Sequence, residues 1–70
     1  MKWVICLDNA GFKESLELRK LYPLIDDEAS AQRGCVRVID ESGEDYVYPS
    51  DMFLPLPVAV ETEARLLALA

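Results

Sequence analysis

The stretch CVRVIDESGEDYVYP, residues 35–49, decides the fold. Two runs rich in β-branched and aromatic residues flank the segment DESG, and such runs form strands. Asp40 suits the first position of a type I turn, and Gly43 suits the positive φ that closes a hairpin of this kind. The sequence therefore predicts a β-hairpin in which Asp40 pairs with Glu44.

This register assigns the hairpin side chains to two faces, because successive residues of a strand point to opposite sides. One face is wholly apolar or aromatic and is expected to be the core side. It consists of Val36, Val38, Tyr46 and Tyr48. On the other face Arg37 is diagonal to Asp45, close enough for a side-chain contact. The acids Asp40, Glu41 and Glu44 gather at the tip, where we expect water to solvate them.

The segments before the hairpin predict one clear strand and one ambiguous element. KWVICL (2–7) is an apolar run closed by turn residues and predicts a strand. SLELRKLYPLI (15–25) fits either an alternating strand or a short helix. Pro23 excludes a long helix, and it would restrict a strand to a sheet edge or a bulge.

Two helices are predicted elsewhere in the chain. In DDEASAQRG (26–34), Asp26 can cap the helix and Gly34 fits the left-handed stop, which predicts one or two turns. After the prolines of the tail, a helix is expected over about residues 58–70. Its apolar stripe is expected to consist of Val60, Ala64 and Leu67, with Leu66 alongside.

Composition bounds the size, the partners and the compartment. Seventy residues make one domain, 1–70, and 51% hydrophobic residues are enough to build a core. The net charge of −6 repels phosphate backbones, so no nucleic-acid partner is expected, whereas a basic protein would be attracted. No apolar run has the length of a signal peptide or membrane span, so we expect a cytoplasmic protein without a membrane partner. Cys6 and Cys35 are expected to be buried, reduced thiols.

The residue types argue against catalysis. The chain contains no histidine, which removes the commonest general base and the Ser-His and Cys-His triads. Carboxylate pairs remain, such as Asp40 with Asp45, but exposed turn acids lack the burial that raises one pKa. As a calcium loop starting at Asp40, the segment has Asp45 where the motif requires Gly. We therefore expect no enzyme, no metal site and no cofactor.

The segment EDYVYPSDMFLPL (44–56) resembles the closing part of an SH3 domain. There a strand runs into a Phe/Tyr-Pro-Ser-Asn-Tyr step, a 3₁₀ turn and a last short strand. The matching residues here are Tyr48, Pro49, Ser50 and Asp51. Met52 stands where the family has its groove tyrosine, so specificity for proline-rich peptides is not implied.

The hairpin and the segment before it also resemble short, uncharacterised bacterial proteins with SH3-like barrels, although Arg19 replaces a Gly of their pattern. The resemblance implies a mainly β fold. This would be a single SH3-like five-stranded barrel over about residues 2–56, with a C-terminal helix over about 58–70.

Fold resemblance and acidic charge together predict a non-catalytic small acidic adaptor or regulatory module that binds another protein. The predicted protein-binding surface combines an apolar group with an acidic rim. It consists of Tyr22, Tyr48, Pro49 and Met52, with Asp26, Asp27 and Asp51 as the rim. The alternative is a structural protein that self-associates, as a homodimer, through its C-terminal helix.

Overall fold

The computed structural model describes residues 2–69. Five strands make up most of the regular structure: β1 (Lys2–Cys6), β2 (Leu21–Ile25), β3 (Cys35–Ile39), β4 (Asp45–Pro49) and β5 (Phe53–Leu56). The remaining elements are the helices α1 (Glu28–Gln32) and α2 (Val60–Ala68), and a 3₁₀ turn (Ser50–Met52) between β4 and β5.

All five strands belong to one antiparallel sheet in the order β4-β3-β2-β1-β5. The prediction of a mainly β fold with a C-terminal helix is confirmed. Strands β4 and β5 are the two edges, and no ladder joins them within residues 2–69, so the sheet is not closed. The five-stranded barrel therefore stays a prediction.

The hairpin register is confirmed. Val36 pairs with Tyr48 and Val38 pairs with Tyr46. At the tip, the Asp40 amide donates to the Glu44 carbonyl at 3.2 Å. Gly43 has a φ of 82°, the left-handed conformation that the turn needs.

The core lies on the predicted face of the hairpin. Its buried side chains include Val4, Cys6, Leu16, Tyr22, Val38, Tyr48, Met52 and Phe53. Two details differ from expectation. Tyr46 is 57% exposed because it belongs to the edge strand β4 near the tip. Cys6 is buried as predicted, whereas Cys35 is only half-buried, and both are free thiols.

The position of Pro23 corrects one expectation. It lies in β2, which is the central strand of the sheet, and it pairs in regular register with Trp3 of β1. The prediction of an edge position or a bulge is therefore wrong. The proline is tolerated because the ladder between β2 and β3 begins only at Leu24, which pairs with Val38, so the missing N–H interrupts no continuous ladder there.

The short helix is present, with a different capping residue. Asp27, not Asp26, is the N-cap of α1: its backbone is extended, and its carboxylate accepts the Ser30 amide at 3.2 Å. Asp26 instead forms an exposed ion pair with Lys2 at 3.8 Å. Gly34 follows the helix with a φ of 71°, as its predicted role as the stop requires.

The tail helix is present, but the side chains that it turns toward the sheet are not those of the predicted stripe. Glu63 and Leu66 are its half-buried members, whereas Val60, Ala64 and Leu67 are exposed, so the predicted stripe is wrong. The indole Nε1 of Trp3 donates to the Glu63 carboxylate at 3.2 Å, which ties the helix to β1 and selects this face. None of its described residues is fully buried, so α2 packs lightly on the sheet. No helix within residues 2–69 is long and apolar enough to cross a membrane.

Candidate functional site

The three large side chains of the predicted protein-binding surface belong to the core. Tyr22, Tyr48 and Met52 are all buried, which leaves a partner little of them to contact. Their burial follows from the sheet, because the inward faces of β2, β4 and the 3₁₀ turn meet there. The prediction that these three residues form part of a protein-binding surface is therefore wrong.

The other four members of that surface remain accessible to different degrees. Pro49, Asp26 and Asp51 are exposed, and Asp27 is half-buried. Besides capping α1, the Asp27 carboxylate accepts the Ser30 hydroxyl at 2.7 Å and the Nε of Arg37 at 2.8 Å. These hydrogen bonds, from Ser30 first and then Arg37, lower the pKa of Asp27 to about 2. Asp27 therefore holds α1 against β3, and a role of these four residues in protein binding stays a prediction.

Two acids of the hairpin tip accept hydrogen bonds from the buried tyrosines. The Tyr48 hydroxyl donates to Asp40 Oδ2 at 2.6 Å. The Tyr22 hydroxyl donates to Glu41 Oε2 at 2.5 Å and accepts the Glu17 amide at 2.7 Å. The interpretation that water solvates the tip acids is therefore wrong for Asp40 and Glu41, because core hydroxyls are their partners.

The pKa values of the two tyrosines are raised, whereas those of the two acids are lowered. Burial, and then the hydrogen bond to Asp40, raises the pKa of Tyr48 to about 12. Burial and the bond to Glu41 likewise raise the pKa of Tyr22. The bonds from Lys20 and Tyr22 lower the pKa of Glu41. For Asp40 burial is the largest influence and acts upward, but the bonds from Ser42 and Tyr48 together outweigh it and lower the pKa.

Beside this network lies the groove, a concavity of about 640 Å³ between α2, β2 and the hairpin tip. Most of its lining is apolar: Trp3, Leu21, Pro23 and Ile39 from the strands, and Leu66, Leu67 and Leu69 from the tail. Its charged lining residues are Arg19, Lys20, Asp40 and Glu41. It combines apolar walls with a small number of polar groups, which is typical of a binding site.

The charged residues of the groove lie just before β2 and at the hairpin tip. Arg19 and Lys20 directly precede that strand, and Lys20 Nζ contacts Glu41 Oε2 of the hairpin tip at 2.7 Å. The apolar lining continues along β2 to Pro23, which pairs with Trp3. The groove therefore runs from a charged end at the hairpin tip to an apolar stretch along β2 and α2.

Arg19 is the residue with unusual backbone geometry at this charged end. Its φ is 64°, which makes it the only non-glycine residue with positive φ within residues 2–69. The turn is held by a hydrogen bond of 2.7 Å from the Arg19 amide to the Cys6 carbonyl. A residue with a Cβ costs roughly 1–2 kcal/mol in this conformation. Glycine is the residue that adopts this conformation without strain, so the turn keeps a strained residue at this position.

Two features bear on metal binding and on thiol reactivity in the described part of the chain. No group of three or more Cys, Asp or Glu side chains is arranged there to hold a metal ion. Burial raises the pKa of the Cys6 thiol, which disfavours the reactive thiolate.

Comparison with protein-family models, with curated proteins and with solved structures found no match to this chain. The candidate site therefore rests on the residues and the geometry alone. Sequence reasoning missed the groove, although it predicted the tail helix that forms one wall of it. The signal that could have indicated it is the Arg at a position where the turn favours Gly.

Proposed function

We propose that the chain is a non-catalytic adaptor or regulatory module that binds an extended apolar segment of a partner protein in the groove. The observation that carries this proposal is the groove itself: its apolar lining comes from β1, β2, β3 and the tail, and its volume is about 640 Å³. Binding pockets usually have volumes of about 300–1,000 Å³.

The tail makes the groove adaptable to a peptide. α2 contributes Leu66 and Leu67 to the lining but has no buried residue, and the indole of Trp3 donates a hydrogen bond to its Glu63. A helix held this lightly can shift to admit a segment at little cost, because few apolar contacts are lost. Apolar side chains entering the groove would gain burial that α2 alone does not provide.

The lowered pKa values of the groove acids support a binding role rather than a catalytic one. An acid catalyst needs a carboxyl whose pKa is raised toward neutrality. The pKa values of Asp40 and Glu41 are lowered instead, and both carboxylates are occupied by hydroxyl or ammonium donors. The net charge of −6 favours a basic partner and disfavours nucleic acid.

The proposal includes an SH3-like barrel as the finer description of the fold, and membership in the resembled bacterial group. Support comes from the hairpin register and from the 3₁₀ turn Ser50–Met52, which leads directly into β5 as the resemblance implies. A cytoplasmic location is part of the same proposal.

Two exposed leucines allow a matched test. Leu67 lines the groove and is 44% exposed, and Leu54 on β5 lies outside the groove and is 49% exposed. Immobilised wild-type, Leu67→Glu and Leu54→Glu proteins are each used to capture partners from native lysate, with quantification by mass spectrometry at low and high salt. A photo-crosslinker at position 66 then identifies the contacted segment of each captured protein.

We expect Leu67→Glu to lose the specific partner and Leu54→Glu to retain it, since a carboxylate in the groove opposes apolar binding. The crosslinked segment is expected to be apolar. Equal loss in both variants, or crosslinks to no apolar segment, would contradict the proposal.

A second candidate is a structural protein that self-associates through α2. Val60 and Leu69 are each 84% exposed, and such apolar exposure favours contact with a second copy. Sedimentation equilibrium of the intact chain and of a truncation after Pro57 tests it. A dimer that the truncation abolishes supports this candidate, and a monomer in both at tens of micromolar, with the truncation folded, removes it.

A further inference from the structure

We propose that the Arg19 guanidinium receives the C-terminal carboxylate of an apolar peptide whose last side chains occupy the groove. The inference rests on the proposed function, which it deepens by naming the chemistry of the bound segment. Three observations carry it: the charges of the groove, the backbone of Arg19 and the arrangement of charged and apolar lining.

The first observation is that, among the charged groove residues, only Arg19 has a side chain without a hydrogen bond or ion pair within residues 2–69. Lys20 contacts Glu41 at 2.7 Å and Glu17 at 3.9 Å. Glu41 also accepts the Tyr22 hydroxyl, and Asp40 accepts the Tyr48 hydroxyl. The Arg19 guanidinium has no hydrogen bond or ion pair with any residue of the described range 2–69. In a protein of net charge −6, Arg19 is thus a cation at the groove that has no partner among residues 2–69.

The second observation is the φ of 64° at Arg19. Glycine would adopt this turn without strain, and Asn would adopt it with little. Arginine therefore adds nothing to the turn itself. What it adds is a cationic side chain on a residue that lines the groove. Strained residues of this kind concentrate at functional sites, where the side chain is needed in one place.

The third observation selects the ligand. A guanidinium binds a carboxylate through two parallel hydrogen bonds. A group of higher negative charge, such as a phosphate, would be repelled by the neighbouring Asp40 and Glu41 carboxylates. Since the charged end of the groove leads to an apolar stretch, the ligand should carry its charge at one end. A chain terminus does so, and it leaves no further backbone to place against those acids.

The test uses two matched libraries of N-terminally rhodamine-labelled hexapeptides with Leu, Ile, Val or Phe at the last three positions. One library has a free C-terminal carboxylate and the other a C-terminal carboxamide. A third set has the carboxamide and a Glu at the penultimate position. Binding to the intact chain is measured by fluorescence anisotropy. The variants are Arg19→Gly and Arg19→Asn, with Lys13→Gln as the control, because it removes one cation outside the groove.

We expect the best free acids to bind about tenfold or more tightly than their own amides, as a charge-assisted bidentate contact allows. Both Arg19 variants should reduce this ratio to about twofold or less, whereas Lys13→Gln should leave it unchanged. The urea midpoint of Arg19→Gly should not fall, because strain is relieved, so lost binding would not reflect unfolding.

Every other outcome contradicts one specific part of the reasoning. Equal binding of acids and amides overturns the role of Arg19 and leaves the proposed function standing. Equal binding of the third set and the free acids overturns the choice of a chain terminus over an acidic side chain. Binding of no peptide in any set contradicts the proposed function itself.

Discussion

The hydrogen bond between Tyr22 and Glu41 gives the sharpest test of how the hairpin tip is held to the core. The perturbation is a double-mutant cycle of Tyr22→Phe and Glu41→Gln. The first change removes the donor hydroxyl, and the second removes the charge while preserving the shape of the acceptor. Because Tyr22 also accepts the Glu17 amide and Glu41 also contacts Lys20, each single change disturbs a second contact. The cycle cancels those contributions and isolates the pair.

The structure sets the size of the effect. The Oη–Oε2 distance is 2.5 Å, and the Glu41 side chain is 29% exposed. A hydrogen bond to a charged group contributes about 1.5–3 kcal/mol, and partial exposure to water favours the lower end of that range. Because the Gln side chain at position 41 can still accept a neutral hydrogen bond, the cycle measures only part of this contribution, and we expect a coupling energy of about 1–1.5 kcal/mol in the free energy of unfolding. For a domain of this size, 1 kcal/mol lowers the Tm by about 4–8 °C.

The assay is urea unfolding followed by the fluorescence of Trp3, the single tryptophan, which is buried. Glu44→Gln is the matched control, because Glu44 lies in the same turn and its exposed carboxylate has no hydrogen bond or ion pair within residues 2–69. We expect this control to stay within about 0.5 kcal/mol of wild type. A coupling energy under about 0.3 kcal/mol, with Glu41→Gln no worse than Glu44→Gln, would refute the reasoning.

Three further outcomes are expected. Gly43→Val should lower the free energy of unfolding by about 1–2 kcal/mol because of the positive φ, and Gly43→Asn by less; equal losses in urea titrations would contradict this. Because the pKa of Asp27 is lowered to about 2, its contribution to stability is present above the unfolded pKa of about 4 and is lost toward pH 2. Asp27→Asn should flatten that acid limb of the Tm profile, and an unchanged limb would oppose the assignment. Because the pKa of Tyr48 is raised to about 12, its contribution is present below about pH 10 and is lost toward pH 12. Tyr48→Phe should flatten the alkaline limb, and a wild-type limb in that variant would count against it.

The hairpin was predictable because its determinants are local. The alternation of side chains across β3 and β4 selects one register, since a slip by one residue would move Val38 and Tyr48 out of the core. The turn chemistry of Asp40 and Gly43 selects the same register independently. Residues near each other in sequence thus settle the structure, and Val38 and Tyr48 were correctly identified as core.

The candidate site was not predictable in the same way. The predicted surface treated Tyr22, Tyr48 and Met52 as accessible because aromatic and flexible apolar residues are typical of both cores and interfaces. Which role applies depends on what covers each side chain. Here the cover comes from segments distant in sequence, and all three residues became part of the core.

The sequence by itself determined the mainly β class, the hairpin register and the presence of a tail helix, because periodicity and turn residues act over a few neighbours. Only the tertiary structure decided the central position of β2, the bond of 2.5 Å between Tyr22 and Glu41, and the face that α2 turns to the sheet. Each of these depends on strand order and on contacts across many residues. The groove exists only where those distant segments meet.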